Sequence, residues 1–136
     1  MALAADRLIK RRDGSCLSDP VAATTKIYTG ALVCLNSAGN AVPGSATNTL
    51  KARGVCIERA DNSAGAAGDI SVDSRPGVYN FKNSSAGDLI TRAEIGIDCY
   101  IVDDQTVAKT SGSSTRSIAG KVVDVNADGV WVRIGS

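Results

Sequence analysis

The 136-residue chain carries 15 Lys and Arg against 14 Asp and Glu, a formal charge of +1 that is too balanced for a protein that lives by gripping phosphate backbones. A chain of this length buries about two-thirds of its unfolded surface, so one domain can hold a core without staples. With 43% hydrophobic but only 4% aromatic residues, 14 Gly and no His, the composition suits thin aliphatic β layers and excludes imidazole triads and mixed Cys/His zinc sites.

Residues 1–19 read as an arm in which Arg7, Lys10, Arg11 and Arg12 cluster, with Arg11 and Arg12 as candidate contacts to an acidic neighbour. Its stretch "MALAADRLIKRRDGSC" lacks the uninterrupted apolar segment of a secretory signal, and no apolar run in the chain reaches the ~18 residues of a membrane helix. The expectation is a protein made and used without crossing a membrane.

Residues 20–136 read as a single β domain. "TTKIYT" and "ALVCL" lead into a turn at "NSAGN", where Gly39 can take a positive φ, and the chain returns through "AVP". The polar loop "GSATNTLK" precedes a buried strand at "GVCIE", closed by the Gly/Ala-rich "RADNSAGAAGD". Strands at "ISVD" and "GVYNFKN" flank the turn residues Arg75, Pro76 and Gly77.

In "TRAEIG", Thr91 and Glu94 have the spacing of a capping box, and Gly96 limits the helix to a single turn. "IDCYIV" and "TVAK" then flank Asp103, Asp104 and Gln105. "AGKVVDV" and "GVWVRI" close around Asn126, Asp128 and Gly129. About ten short strands imply a sandwich or barrel. Gly30 and Gly96, Ser45 and Ser111, Thr49 and Thr115, and Gly54 and Gly120 recur at one common offset, which allows an internal duplication of two β units.

Few residues suggest chemistry. Asp98, Asp103 and Asp104 are the strongest acidic candidates for a small hydrolase, but neighbours on a strand point to opposite faces, and a hairpin loop explains the adjacent pair. Asp61, Asn62 and Asp69, or Asn126 and Asp128, lack the regular spacing and closing Glu of a calcium loop. Cys16, Cys34, Cys56 and Cys99 lie far apart with no C-x-x-C, and read as reduced, inert thiols. No metal, cofactor or catalytic residue is expected. Alternation in "GVWVRIG" puts Trp131 and Arg133 together opposite Val130, Val132 and Ile134, which makes them candidate protein-interface residues; Tyr79 and Phe81 in "VYNF" raise the same question.

The segments "KIYTGALVCLNSAGNAVPGS", "RADNSAGAAGDISV", "DLITRAEIGIDCYIVDDQTVAKT" and "IAGKVVDVNADGVWVRIG" resemble the capsid cement, or decoration, proteins of tailed phages, from about residue 20 to the C-terminus. The resemblance implies a jelly-roll-like body that binds outside the lattice of the major capsid protein, clamps neighbouring capsomers and works as a homo-oligomer, with a dimer expected. It also implies a location on the outer surface of the virion, after assembly in the host bacterial cytoplasm, without nucleic acid or membrane as partners. It brings no catalytic residues. The competing reading is a β-sandwich recognition module of a phage particle, binding carbohydrate or protein.

Overall fold

A computed structural model of the chain describes residues 2, 4–6 and 16–135. Among them the fold is all-β: twelve strands, with two single 3₁₀ turns at Ala86–Asp88 and Arg92–Glu94. The strands are β1 (Leu17–Pro20), β2 (Thr25–Ile27), β3 (Leu32–Leu35), β4 (Ala41–Pro43), β5 (Lys51–Cys56), β6 (Ala60–Asn62), β7 (Ser71–Arg75), β8 (Gly77–Phe81), β9 (Asp98–Ile101), β10 (Val107–Ala108), β11 (Ile118–Asn126) and β12 (Gly129–Ile134).

One five-stranded sheet runs β1-β7-β5-β3-β4, a second runs β10-β9-β11-β12-β8, and β2 with β6 forms a separate ribbon. Each large sheet is drawn from one contiguous half of the chain. The halves join at Pro76, whose fixed φ and missing N–H end the β7 ladder as the chain crosses into the second sheet. The sequence places a simple turn there; the structure makes it the passage between sheets.

The two sheets repeat one plan. In the first, Val33 pairs with Gly54 and Cys34 with Ala52, leaving Arg53 as the extra residue of a bulge. In the second, Cys99 pairs with Gly120 and Tyr100 with Ile118, leaving Ala119 extra at the matching place. The hairpin pairs agree as well: Leu35 with Ala41 recurs as Ile101 with Val107. The offset between matching residues is 66, the separation of Asn48 and Ser114, which hydrogen-bond to each other.

Burial follows from the alternation. β3 reads "LVCL" without a polar residue because both of its faces are covered. Val33 joins Val21, Ile27, Ala41, Cys56 and Val72 in a core beneath the ribbon. Leu32 and Cys34 point the other way, into a larger core with Phe81, Ile90, Cys99, Ile101, Val122, Val130, Val132 and Ile134. Each such fully buried aliphatic side chain contributes about 1.5–3 kcal/mol. The first sheet is therefore a middle layer. Its Val33–Cys56–Val72 face is capped by the ribbon, and the matching Cys99–Val122–Val130 face of the second sheet is capped by the first. The stack ends on the opposite face of the second sheet, where Val78, Ile118 and Val123 are exposed.

The body begins earlier than the expected arm boundary at residue 19. Leu17–Pro20 pair with Ser71–Ser74, and the buried Asp19 carboxylate accepts two hydrogen bonds from the Arg53 guanidinium, at 2.8 and 3.1 Å. Arg11 and Arg12 lie outside the described residues.

Candidate interaction surface

β12 alternates as the sequence predicts. Val130, Val132 and Ile134 are fully buried, which turns Trp131 and Arg133 to the open face. On the neighbouring β11, Val122 pairs with Val132 and Asp124 with Trp131, so Val123 is an unpaired bulge residue pushed outward. On the other side, edge strand β8 contributes Val78, which pairs with Arg133. Val78, Val123 and Trp131 thus surround a shallow hollow of about 400 Å³, closed at its rim by Asp124 and Asn126.

The rim is polar and held in place. The Trp131 indole N–H donates to Asn126 Oδ1 at 3.4 Å, and that oxygen also accepts from the Asp128 backbone N–H, tying the indole to the β11–β12 turn. Arg92 Nη1 donates to Asp124 Oδ1 at 2.9 Å from the second 3₁₀ turn. That turn carries the capping box foreseen in the sequence: Thr91 accepts from Ala93 N–H, and Glu94 accepts from Thr91 N–H. The Thr91 backbone N–H and then its hydroxyl, both donating to Glu94 Oε1, pull the Glu94 carboxyl below its usual range. An apolar centre with a fixed polar border is the anatomy of a protein-binding patch.

The other expected interface residues fare differently. Tyr79 is half-buried and packs against the larger core, and Phe81, 3% exposed, belongs to that core rather than to the surface. Their side of β8 faces inward because Tyr79 pairs with Val132 and Phe81 with Val130, both core residues. Val78 and Val123 went unnoticed in the sequence. The only signal was the doubled Val122–Val123, which breaks strict alternation where the bulge lies.

The acidic candidates do not converge. Asp103 Oδ1 accepts the Gln105 backbone N–H at 2.9 Å, and Val102 N–H closes the five-residue turn on Thr106 O at 3.0 Å. Partial burial and the adjacent Asp103 raise the Asp104 carboxyl above its usual range, while its backbone oxygen accepts from Leu32 N–H. Asp98 stands at the far end of β9, about 16 Å from this turn at a strand's rise, paired with Lys121 at 3.2 Å.

The expected thiols are buried at Cys34, Cys56 and Cys99, and burial pushes Cys34 and Cys99 up to about 12. The Asn62 side-chain amide donates to Ala22 O and Ala66 O, at 3.0 and 2.9 Å, and Asp61 and Asp69 accept backbone N–H groups of Ser63 and Ala66. These groups satisfy one another in a loop. Among the described residues, no three His, Cys, Asp or Glu side chains stand close enough to hold a metal.

Comparison with family models, curated proteins and solved structures finds no match for this chain.

Proposed function

We propose that this is a structural virion protein, a capsid cement subunit that binds the outside of a tailed-phage shell and holds neighbouring capsomers together. The observation that carries this reading is the outer end of the layer stack, where Trp131, Val78 and Val123 form an apolar hollow bordered by Asp124 and Asn126, with Arg92 ion-paired to Asp124. In a stacked fold an end exposed to water is normally polar. A Trp and two valines placed there favour adhesion to another protein surface, with the major capsid protein as partner and a second copy of this chain alongside.

The mechanism is mass action. A subunit that binds the assembled lattice but not separated capsomers lends the lattice its binding free energy, and repetition over a shell multiplies a modest contact. A central Trp of this kind contributes about 2 kcal/mol or more to an interface. Co-sedimentation of the purified protein with undecorated shells tests the reading: it should pellet with shells and raise their thermal stability, and Trp131→Ala should pellet far less. Protein that stays wholly in the supernatant at micromolar concentration counts against it.

A further inference from the structure

Apart from the Trp131 hollow, on the β9 side of the same sheet, a cleft of about 670 Å³ lies where matching parts of the two sheets meet. Its walls are the polar loops leading into β5 and β11. Asn48 Nδ2 donates to Ser114 O at 3.0 Å, Leu50 N–H donates to Ser117 Oγ at 2.9 Å, and the Ser117 hydroxyl donates to Thr47 O. These bonds lace wall to wall, so the cleft exists before any ligand arrives and binding need not order it. Ser113 and Ser114 hold the left-handed conformation, with φ of 62° and 66°, while Thr115 and Arg116 N–H groups bond to Ser111 O. Such backbone strain is retained where the surroundings fix it, and ligand clamps are one such place.

The floor is apolar and the rim cationic. Cys99 and Ile101 enter the core, so Tyr100 between them turns outward, opposite its register partner Ile118, which is 49% exposed. Leu50 extends this platform. Lys51 stands exposed at one side. Arg116 is held at the other, its Nη1 donating to Thr110 O at 3.1 Å and lying 3.3 Å from Asp88. Among the described residues no carboxylate lines the cleft itself, and the nearest acid to its cations is Asp88, ion-paired with Arg116 from outside the lining.

We propose that this cleft binds an acidic saccharide, a chain carrying uronic acid. A Tyr and two aliphatic side chains suit the apolar face of a pyranose ring, Asn and Ser groups suit its hydroxyls, and Lys51 with Arg116 suits its carboxylate. A bound peptide strand would use a free sheet edge, whereas Tyr100 and Ile118 lie on β9 and β11, each paired on both sides. A nucleic acid strand would need several stacking rings and a longer basic track, whereas this cleft is lined by one aromatic ring and two cations. The site shares no residue with the Trp131 hollow, so substitutions at Tyr100 and at Trp131 test saccharide binding and shell binding separately.

The test is titration of the full chain with tri-galacturonate, followed by amide chemical shifts and calorimetry. Shifts should centre on residues 48–51, 100 and 114–118. The methyl-esterified trimer should bind about tenfold more weakly through loss of the charge-assisted contacts. Lys51→Gln, at an exposed position, should weaken tri-galacturonate several-fold, Tyr100→Ala should abolish binding, and Tyr100→Phe should keep it. No response at millimolar trimer, shifts centred elsewhere, or equal binding of a hexaglutamate peptide would overturn the proposal.

Discussion

Gly54 and Gly120 occupy the same position in two ladders, each next to a bulge residue, and at each a Cβ would strike the backbone of a neighbouring strand: Arg75 on β7 and Arg133 on β12. The need there is space rather than a positive φ. Because strand backbone cannot swing aside as a side-chain tip can, Gly120→Ala should cost about 2 kcal/mol or more in chemical denaturation. Gly39→Ala, where φ is 85° and nothing lies within 4 Å of the added carbon, should cost only about 1 kcal/mol. Equal losses would mean that β12 is free to move.

Ser74 sits on β7, fully buried, and its hydroxyl is the one buried side-chain oxygen or nitrogen without a hydrogen-bond partner among the described residues. The matching position in the second sheet is Val132, a core residue. Removing an orphaned hydroxyl without adding volume should be favourable. Ser74→Ala is expected to raise unfolding stability by about 1 kcal/mol, read from the denaturation midpoint at unchanged slope. A lower midpoint would show that the hydroxyl has a partner.

Asp104 gives a pH signature of the turn. Its carboxyl is raised by desolvation and then by Asp103, so the folded state holds this proton more tightly than the unfolded chain does. The stabilising effect of protonation is present below the unfolded value and is lost as pH rises through the folded one. Asp104→Asn should therefore stabilise slightly at about pH 7, by a few tenths of a kcal/mol because the group is largely solvent-screened, and make no difference at about pH 3. Asp88 runs the opposite way: the Thr110 hydroxyl and then Arg116 lower its carboxyl, and the stability from those contacts fades as pH falls through the folded value.

Asp19 and Arg53 are the contact that fastens β1. The pair is bidentate, Asp19 is 8% exposed, and β1 is an edge strand whose backbone ladder runs to β7 alone. Asp19→Ala leaves the guanidinium unpaired against the sheet and should cost about 1–2 kcal/mol after allowance for the exposed part of Arg53. Faster amide exchange should be confined to Leu17–Pro20 and its β7 partners. Loss of protection across both sheets would mean that β1 is part of the global folding unit.

Where a strand has one wet face the sequence announced it: β7 and β12 alternate, and Trp131 and Arg133 emerge on the side expected. The hairpin turns at Asn36–Asn40 and Val102–Thr106 were legible because Asn, Asp and Gly carry their own turn chemistry. Layering was not legible. "LVCL" looks the same whether its faces meet one partner or two, and the Gly/Ala-rich segment hides β6, whose Ala60 and Asn62 are small residues that only tertiary packing buries. The hollow escaped notice for a related reason. A bulge adds one residue to a ladder, and only the pairing partner reveals which residue is extra.

Trp131 and Phe81 separate surface from core most sharply, because the sequence treated both aromatic residues as interface candidates and the sheet sent them to opposite faces. Phe81→Ala opens a cavity among Val130, Val132 and their neighbours and should cost about 3–5 kcal/mol of folding stability. Trp131→Ala removes a half-exposed ring with one long hydrogen bond to Asn126, and should cost about 1 kcal/mol or less. If the open face is an adhesive surface, Trp131→Ala loses shell binding while its denaturation curve stays near that of the parent. A Trp131→Ala protein that unfolds as readily as Phe81→Ala would make the indole a structural element, and the hollow beside it an accident of packing.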